Sequence, residues 1–313
     1  MTDLLFINWT MDPRVISSLN TPRWYGLMWG LGFYLGFTIL NRIYKNEKVP
    51  EPWMDKTFIY VLLGGVLGAR LGHCLFYEPW DYLSNPIEIL YIWQGGLASH
   101  GGALGIIIAA LLLNRNVTKT GVLWILDRLV VPTALAAFLI RLGNLFNHEI
   151  LGKVTESPIG FKFLRDGASD RLVIDATGTT GLTNDNYSDK LNAAYNTVAA
   201  NPNKYADLFA AIPARYPAQL IEAICYLVFF GILMWFYWKT NAGQIKGFLL
   251  GIFFVLVFGA RFFIEFIKEN QAGIDKDLEG LNMGQYLSIP LVIIGLYLIS
   301  KGIKSFKAGK VDY

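Results

Sequence analysis

The chain has 313 residues, 54% of them hydrophobic and only 16% charged, with a net charge of +3. Soluble domains hold roughly 25% charged residues, so this composition points to a polytopic membrane protein. So small a net charge gives no handle for nucleic acid, and Cys74 and Cys225 both lie in apolar stretches, which argues against a disulfide framework.

Residues 1–20 contain no basic stretch followed by an apolar core, so no cleavable signal peptide is expected. Seven apolar segments follow, at approximately 24–41, 57–77, 99–114, 121–146, 217–238, 246–267 and 284–300. A hydrocarbon core of about 30 Å needs about 20 apolar residues per crossing. The third segment is short and opens on glycines, so a re-entrant or broken helix is the alternative there.

Lys and Arg are unevenly distributed between the connecting stretches. One side collects Arg42, Lys45, Lys48, Lys56, Arg115, Lys119, Lys239, Lys246 and a tail with Lys301, Lys304, Lys307 and Lys310. The other has Arg14, Arg23, Lys268 and Lys276, with none in 78–98. The positive-inside bias predicts an external N-terminus, a cytoplasmic C-terminus and seven crossings.

The one long hydrophilic stretch, about 153–215, then falls outside the membrane. Its Asp170-Arg-Leu-Val-Ile-Asp175 run is strand-like, and its Ala-rich 188–212 part suits a helix or two. The expected fold is therefore an all-α polytopic membrane protein of seven transmembrane helices. A periplasmic insertion, α/β or irregular, separates helices four and five. The expected division is 1–152, 153–215 and 216–313.

Within the apolar segments the polar groups are few and clustered. The stretch Phe138-Leu-Ile-Arg-Leu-Gly-Asn-Leu-Phe-Asn-His-Glu149 packs Arg141, Asn144, Asn147, His148 and Glu149 into nine residues. An arginine at a membrane-helix centre is disfavoured by roughly 2.5–3.5 kcal/mol on insertion scales, so it needs partners. On a 3.6-residue period Arg141, Asn144 and His148 share a stripe, with Glu149 about 80° away. An Arg141–Glu149 pair closing the helix end is the structural alternative.

Other polar groups in the apolar segments are potential partners. Arg261 and Glu265 stand at i,i+4 and can satisfy one another; Gln219 and Glu222 stand at i,i+3. Asp127 is read as a structural counter-ion for Arg128 or another arginine. Arg70 and His73 follow Gly64, Gly68 and Gly72, which share a helix face and suit either a packing seam or a substrate-facing wall. His100 is bracketed by glycines in Gln94-Gly-Gly-Leu-Ala-Ser-His-Gly-Gly102, where a starting helix would present free N–H groups to an anion.

Paired guanidiniums match phosphate geometry, so Arg141 and Arg261 in a lipid-open cavity suggest a phospholipid head group. His73, His100 and His148 show no metal-ligand spacing, and neither metal nor cofactor is expected.

Arg141-Leu-Gly-Asn-Leu-Phe-Asn-His-Glu-Ile-Leu-Gly152 resembles the signature of bacterial prolipoprotein diacylglyceryl transferases. Five further blocks resemble that family in order: Trp24-Tyr-Gly-Leu27, Gly68-Ala-Arg-Leu-Gly72, Ser99-His-Gly-Gly102, Pro217-Ala-Gln-Leu-Ile-Glu222 and Gly259-Ala-Arg-Phe-Phe-Ile-Glu265. The chain departs after Glu265, where Phe266-Ile-Lys-Glu-Asn-Gln271 replaces an Arg-x-Pro-Asp type of ending.

The resemblance implies transfer of a diacylglyceryl group from phosphatidylglycerol to the lipobox cysteine of a prolipoprotein signal peptide. It implies a thioether and glycerol phosphate as products and a multi-pass place in the bacterial inner membrane. By matched motif, Arg141 would bind the head group and Arg261 would be the second essential arginine. His100 and Tyr25 match positions tied to activity, and Asn144, Glu149 and Gly152 match other signature positions. Arg70, Asn147, Gln219, Glu222 and Glu265 complete the expected substrate contacts. The base that takes the thiol proton is left between His100 and a carboxylate such as Glu149. The rival reading is a phospholipid transporter or flippase with an arginine-lined cavity, which would show inverted repeats; none is evident.

Overall fold

A computed structural model describes residues 6–17, 19, 21–91, 96, 98–269 and 280–307. Gln94 and Gly95 of the glycine-rich stretch, and Lys276 and Lys310 of the charge count, lie outside the described residues. The chain is mostly helical. Among the described residues five helices are long and apolar enough to cross a membrane: Pro52–Phe76, His100–Thr118, Val122–Phe146, Ala218–Lys239 and Met283–Lys307. Phe248–Ile264 is apolar but shorter.

In chain order the elements are β1 (Ile7–Trp9), α1 (Trp24–Asn46), α2 (Pro52–Phe76), α3 (Pro79–Ser84), α4 (Ser99–Leu113) and α5 (Val122–Phe146). There follow β2 (Phe161–Phe163), α6 (Leu164–Gly167), α7 (Asp170–Thr177), α8 (Tyr187–Ala200) and α9 (Ala206–Ala211). The chain then forms α10 (Ala218–Lys239), α11 (Phe248–Ile264) and α12 (Met283–Lys307). These elements fall into two compact units.

The first unit holds residues 1–35, 134–232 and 253–295. Its only sheet among the described residues is the parallel pair β1–β2, with Ile7 opposite Phe161 and Trp9 opposite Phe163. After β2 the chain builds a core of its own. Leu164, Val173 and Val198 are fully buried there, with Tyr195, Phe209 and Ile212 around them. Each such aliphatic side chain contributes roughly 1.5–3 kcal/mol by leaving water.

The strand-like run at 170–175 is the helix α7. Ser169 caps it by accepting the Leu172 N–H, and Gly178 ends it at φ +65. Those two caps, with Asp170 in the first turn, outweigh the β-branched pair Val173-Ile174. The Ala-rich part forms α8 and α9, as its composition implies.

The second unit holds residues 36–133, 233–252 and 296–313. Here α2 and α4 meet along glycines. A Cβ at Gly72 would stand 2.7 Å from Gly101 Cα, and one at Gly68 would stand 2.8 Å from Gly105 Cα. Side chains at these positions would force the two backbones apart, so the small-residue spacing does make a packing seam. α4 is continuous and its axis extends through a wider turn at Asn114–Thr118. The broken-helix alternative is not what this segment adopts, because its glycines sit against α2 and its Ile, Ala and Leu residues propagate the helix.

In the same unit Asp127 serves chiefly as a helix cap, with the neighbouring Arg128 charge a further favourable influence on it. Its carboxylate accepts the N–H groups of Gly247 at 2.6 Å and Leu250 at 2.8 Å, capping the start of α11. A helix N-terminus leaves such donors unpaired, and a buried carboxylate fits them. Arg128 instead pairs with Glu47 at 3.0 Å and donates to the Gly243 carbonyl, while Tyr237 donates to Glu47 at 2.8 Å.

Candidate functional site

The polar cluster of the first unit grows from the end of α5. Arg141 sits about one and a half turns before Phe146. Its Nε lies 2.6 Å from Oε2 of Glu222 on α10, and the Glu222 side chain is fully buried. The short contact lies off the N–H axis, so it is an ion pair rather than a directed hydrogen bond, and both Glu222 oxygens lack such a bond. Nη1 of Arg141 donates to Asn144 Oδ1 at 3.3 Å, and the guanidinium interacts electrostatically with Tyr226.

Glu149 does not close the helix end on Arg141. Its two oxygens accept from Asn144 Nδ2 at 3.2 Å and Asn147 Nδ2 at 3.1 Å. The helix stops at Phe146, and His148 takes φ +56, which ends the stripe that an unbroken helix would have continued. His148 therefore leaves the Arg141 side. Its Nε2 meets the Met11 carbonyl at 2.9 Å and its ring packs edge-on to Phe163. Burial, only partly offset by the Met11 carbonyl, pushes its pKa down to about 4.

A backbone braid aligns the other contributors. Gly152 N–H donates to Tyr216 O at 2.9 Å, and Lys153 N–H donates to Ile267 O at 2.8 Å. A Cβ at Gly152 would stand 2.6 Å from Tyr216 Cβ and 2.8 Å from Ile267 O. The glycine is what lets the start of α10 and the segment after α11 converge. That convergence puts Lys268 Nζ 3.8 Å from Glu222 and 3.8 Å from Glu265.

Lys268 is buried, as are both carboxylates. Burial pushes its pKa below the usual lysine range against the raising pull of Glu222 and Glu265. Glu265 presses on the backbone of Gly284, where a Cβ would lie 2.6 Å from its carboxylate carbon. It does not pair with Arg261, which among the described residues makes no hydrogen bond or ion pair. Arg261 bears electrostatically on Tyr226 and Lys268, both of which also feel Arg141. Arg141, Arg261 and Lys268 thus stand among Glu222 and Glu265, with the exposed Glu149 reached through Asn144; the two guanidiniums are the groups whose fork matches a phosphodiester.

Two further groups complete this part of the unit. A Cβ at Gly143 would stand 2.8 Å from the Tyr25 ring and 3.1 Å from Tyr25 Cα, so the glycine admits α1 and brings Tyr25 beside Arg141. Gln219, one turn before Glu222, is fully buried, and neither its Oε1 nor its Nε2 has a partner among the described residues.

The cluster thus gathers Tyr25, Arg141, Asn144, Glu222, Arg261 and Glu265. Asn147 and Glu149 join it through Asn144, and Gly152 supports it as backbone. Arg70 and His100 belong to the second unit. Arg70 is buried and donates to the carbonyls of Glu88 at 2.5 Å, Ile89 at 2.9 Å and Gly96 at 3.2 Å. Those contacts tie down the segment after α3. His100 is the second residue of α4 and is exposed.

Lys268 and Tyr226 join the site without having been expected from the sequence. Lys268 carries a signal in its i,i+3 spacing from Glu265. Tyr226, four residues after Glu222, reads as ordinary helix aromatic.

A family model described as prolipoprotein diacylglyceryl transferase matches residues 14–301. A protein of Porphyromonas gingivalis named phosphatidylglycerol–prolipoprotein diacylglyceryl transferase is 41% identical, over 97% of this chain and 98% of its own length. Relatives of the same name from Chloroherpeton thalassium and Bacteroides fragilis are 40% and 35% identical, covering 98% and 95% of this chain. With the family model spanning most of its length and relatives aligned nearly end to end, the chain belongs to the prolipoprotein diacylglyceryl transferase family.

Proposed function

We propose that the chain transfers the diacylglyceryl group of phosphatidylglycerol to the lipobox cysteine of prolipoproteins; its relatives are named phosphatidylglycerol–prolipoprotein diacylglyceryl transferases. The observation that carries the reading is the Arg141–Glu222 pair, with Lys268 against the same buried carboxylate and Arg261 bearing on the same neighbours, so that two guanidiniums are available to one phosphate. In the proposed step the cysteine thiolate attacks the glycerol carbon bearing the phosphate. The new C–S bond forms as the C–O bond breaks, and glycerol phosphate leaves with the electron pair. Arg141 and Arg261 hold the phosphate and stabilise charge as it builds on the departing oxygen. Asn144 orients Arg141, and Tyr25 packs beside it.

A free thiol with pKa near 8.5 must lose its proton for the attack. We assign that proton to His100 on motif and chemistry alone, with Glu149 the alternative acceptor. Gly152 and Arg70 act by positioning backbone.

For the membrane arrangement, α1 and α11 join the five long apolar helices to make seven crossings of the bacterial inner membrane. The lysine distribution supports a periplasmic N-terminus and a cytoplasmic C-terminus. Residues 153–215 then form a periplasmic domain between membrane parts 1–152 and 216–313.

The test is purified protein with phosphatidylglycerol micelles and a lipobox peptide bearing Cys or Ser, read by mass spectrometry. Addition of a diacylglyceryl mass to the Cys peptide alone supports the reading. Equal modification of the Ser peptide, or none of either, contradicts it.

A further inference from the structure

Gln219 is anomalous in energetic terms. A buried amide without hydrogen bonds is destabilising, because it gives up its bonds to water and gains none in return. Gln219 is completely buried and leaves both its acceptor and its donor unmatched among the described residues. It is not in a remote part of the core. It stands at i,i+3 to Glu222 on the first turn of α10, so the two side chains share a helix face. Glu222 in turn touches Arg141, the proposed phosphate clamp.

The position suits a ligand group that is both donor and acceptor. A hydroxyl meets both needs: the amide N–H₂ donates to its oxygen, and its hydrogen is accepted by Oε1. A charged head group would not need this, because Glu222, Glu265 and the cations already supply charge. Glu222, on the same helix face, likewise has no hydrogen bond to either carboxylate oxygen and adds acceptors for hydroxyl hydrogens beside Gln219.

We infer that Gln219 reads a hydroxyl of the polyol head group attached to the phosphate, and so selects a glycerol-type lipid over a phospholipid lacking head-group hydroxyls. This inference rests on the phosphatidylglycerol reading above. Gln219 touches the part of the substrate that departs, away from the carbon under attack. Its contribution is therefore recognition, and it is worth most where the analogue leaves the amide unpaired again.

The test compares phosphatidylglycerol with phosphatidylpropanol, whose head group has the same phosphodiester but no hydroxyls. The reacting bond and leaving phosphate are the same, so the ratio of kcat/KM values isolates head-group recognition. Wild-type protein is expected to favour phosphatidylglycerol by at least about tenfold, as expected of a site that hydrogen-bonds a substrate hydroxyl. Gln219→Met keeps length and flexibility while removing both polar atoms. It is expected to bring the ratio to within about threefold, by lowering activity on phosphatidylglycerol and leaving phosphatidylpropanol unchanged.

Thermal unfolding of the lipid-free protein in detergent gives the second readout. Gln219→Met and Gln219→Leu should melt no lower than wild type, because they remove unpaired buried polar atoms. A Gln219 held by structural hydrogen bonds or a bridging water would instead lower the melting temperature, and that overturns the inference. So does a preference that survives in Gln219→Met, or an equal loss on both lipids. A wild-type protein active on neither lipid overturns the activity reading and this inference with it; an active one whose preference survives overturns this inference alone.

Discussion

Arg141 Nε lies 2.6 Å from Glu222 Oε2, joining the end of α5 to the first turns of α10 through a carboxylate with no exposed surface. Removing one member of a buried pair leaves the other charge uncompensated, which destabilises by about 3–5 kcal/mol. Glu222→Ala should therefore lower stability in detergent by about that much, less whatever Asn144 and Tyr226 retain of Arg141. A combined Arg141→Met, Glu222→Leu protein should recover most of the stability and none of the transfer. Chemical unfolding alongside the peptide assay separates the two effects.

Lys268 stands 3.8 Å from each of two buried carboxylates, so its charge holds Glu222 and Glu265 in place for the arginines. Lys268→Met should raise KM for phosphatidylglycerol and lower kcat/KM by roughly tenfold or more, with Lys268→Arg retaining most activity because the charge is kept. Unchanged kinetics in Lys268→Met would remove it from the site.

Gly152 lies where the braid leaves no room for a methyl group, with Tyr216 and Ile267 backbone on either side. Overpacking of this kind is destabilising by about 1–3 kcal/mol. Gly152→Ala should lower the melting temperature and reduce transfer, because the braid sets the Glu222–Lys268 distance.

His148 gives the pH dependence its sign. Burial, reinforced by the nearby Arg165 charge and only partly offset by the Met11 carbonyl and Asp12, holds its folded pKa at about 4 against 6.5 unfolded. The unfolded chain therefore binds the extra proton first, and stability falls as pH drops from about 6.5 towards 4. A shift of this size corresponds to about 3 kcal/mol. His148→Gln should flatten that part of the curve of melting temperature against pH.

Much of the site is legible in the sequence because charge in an apolar helix demands partners. Arg141, Asn144, Glu222, Arg261 and Glu265 stand out for that reason, and the structure gathers them. The pairings are not legible. Arg261–Glu265 and Arg141–Glu149 are local options that spacing alone favours, yet Glu222 and Lys268, brought close by the Gly152 braid, replace them. Long-range backbone pairing of that sort leaves no period in the sequence. The glycine seam at 64, 68 and 72 is readable because its period is helical, whereas α7 reads as a strand because its two β-branched residues are more visible than the Ser169 and Gly178 caps that decide it. Asp127 looks like an arginine's partner; its role as a cap depends on where α11 begins, 120 residues later.

The most direct measurement is transfer to a Cys lipobox peptide by wild type, Arg141→Ala and Arg141→Lys in phosphatidylglycerol micelles, with folding of each variant checked in the same detergent. Bidentate contact to phosphate needs the guanidinium fork, which an ammonium cannot reproduce. The account predicts thioether product from wild type only, with both variants at least about a hundredfold slower. Folded Arg141→Ala that forms the thioether at the wild-type rate would contradict it.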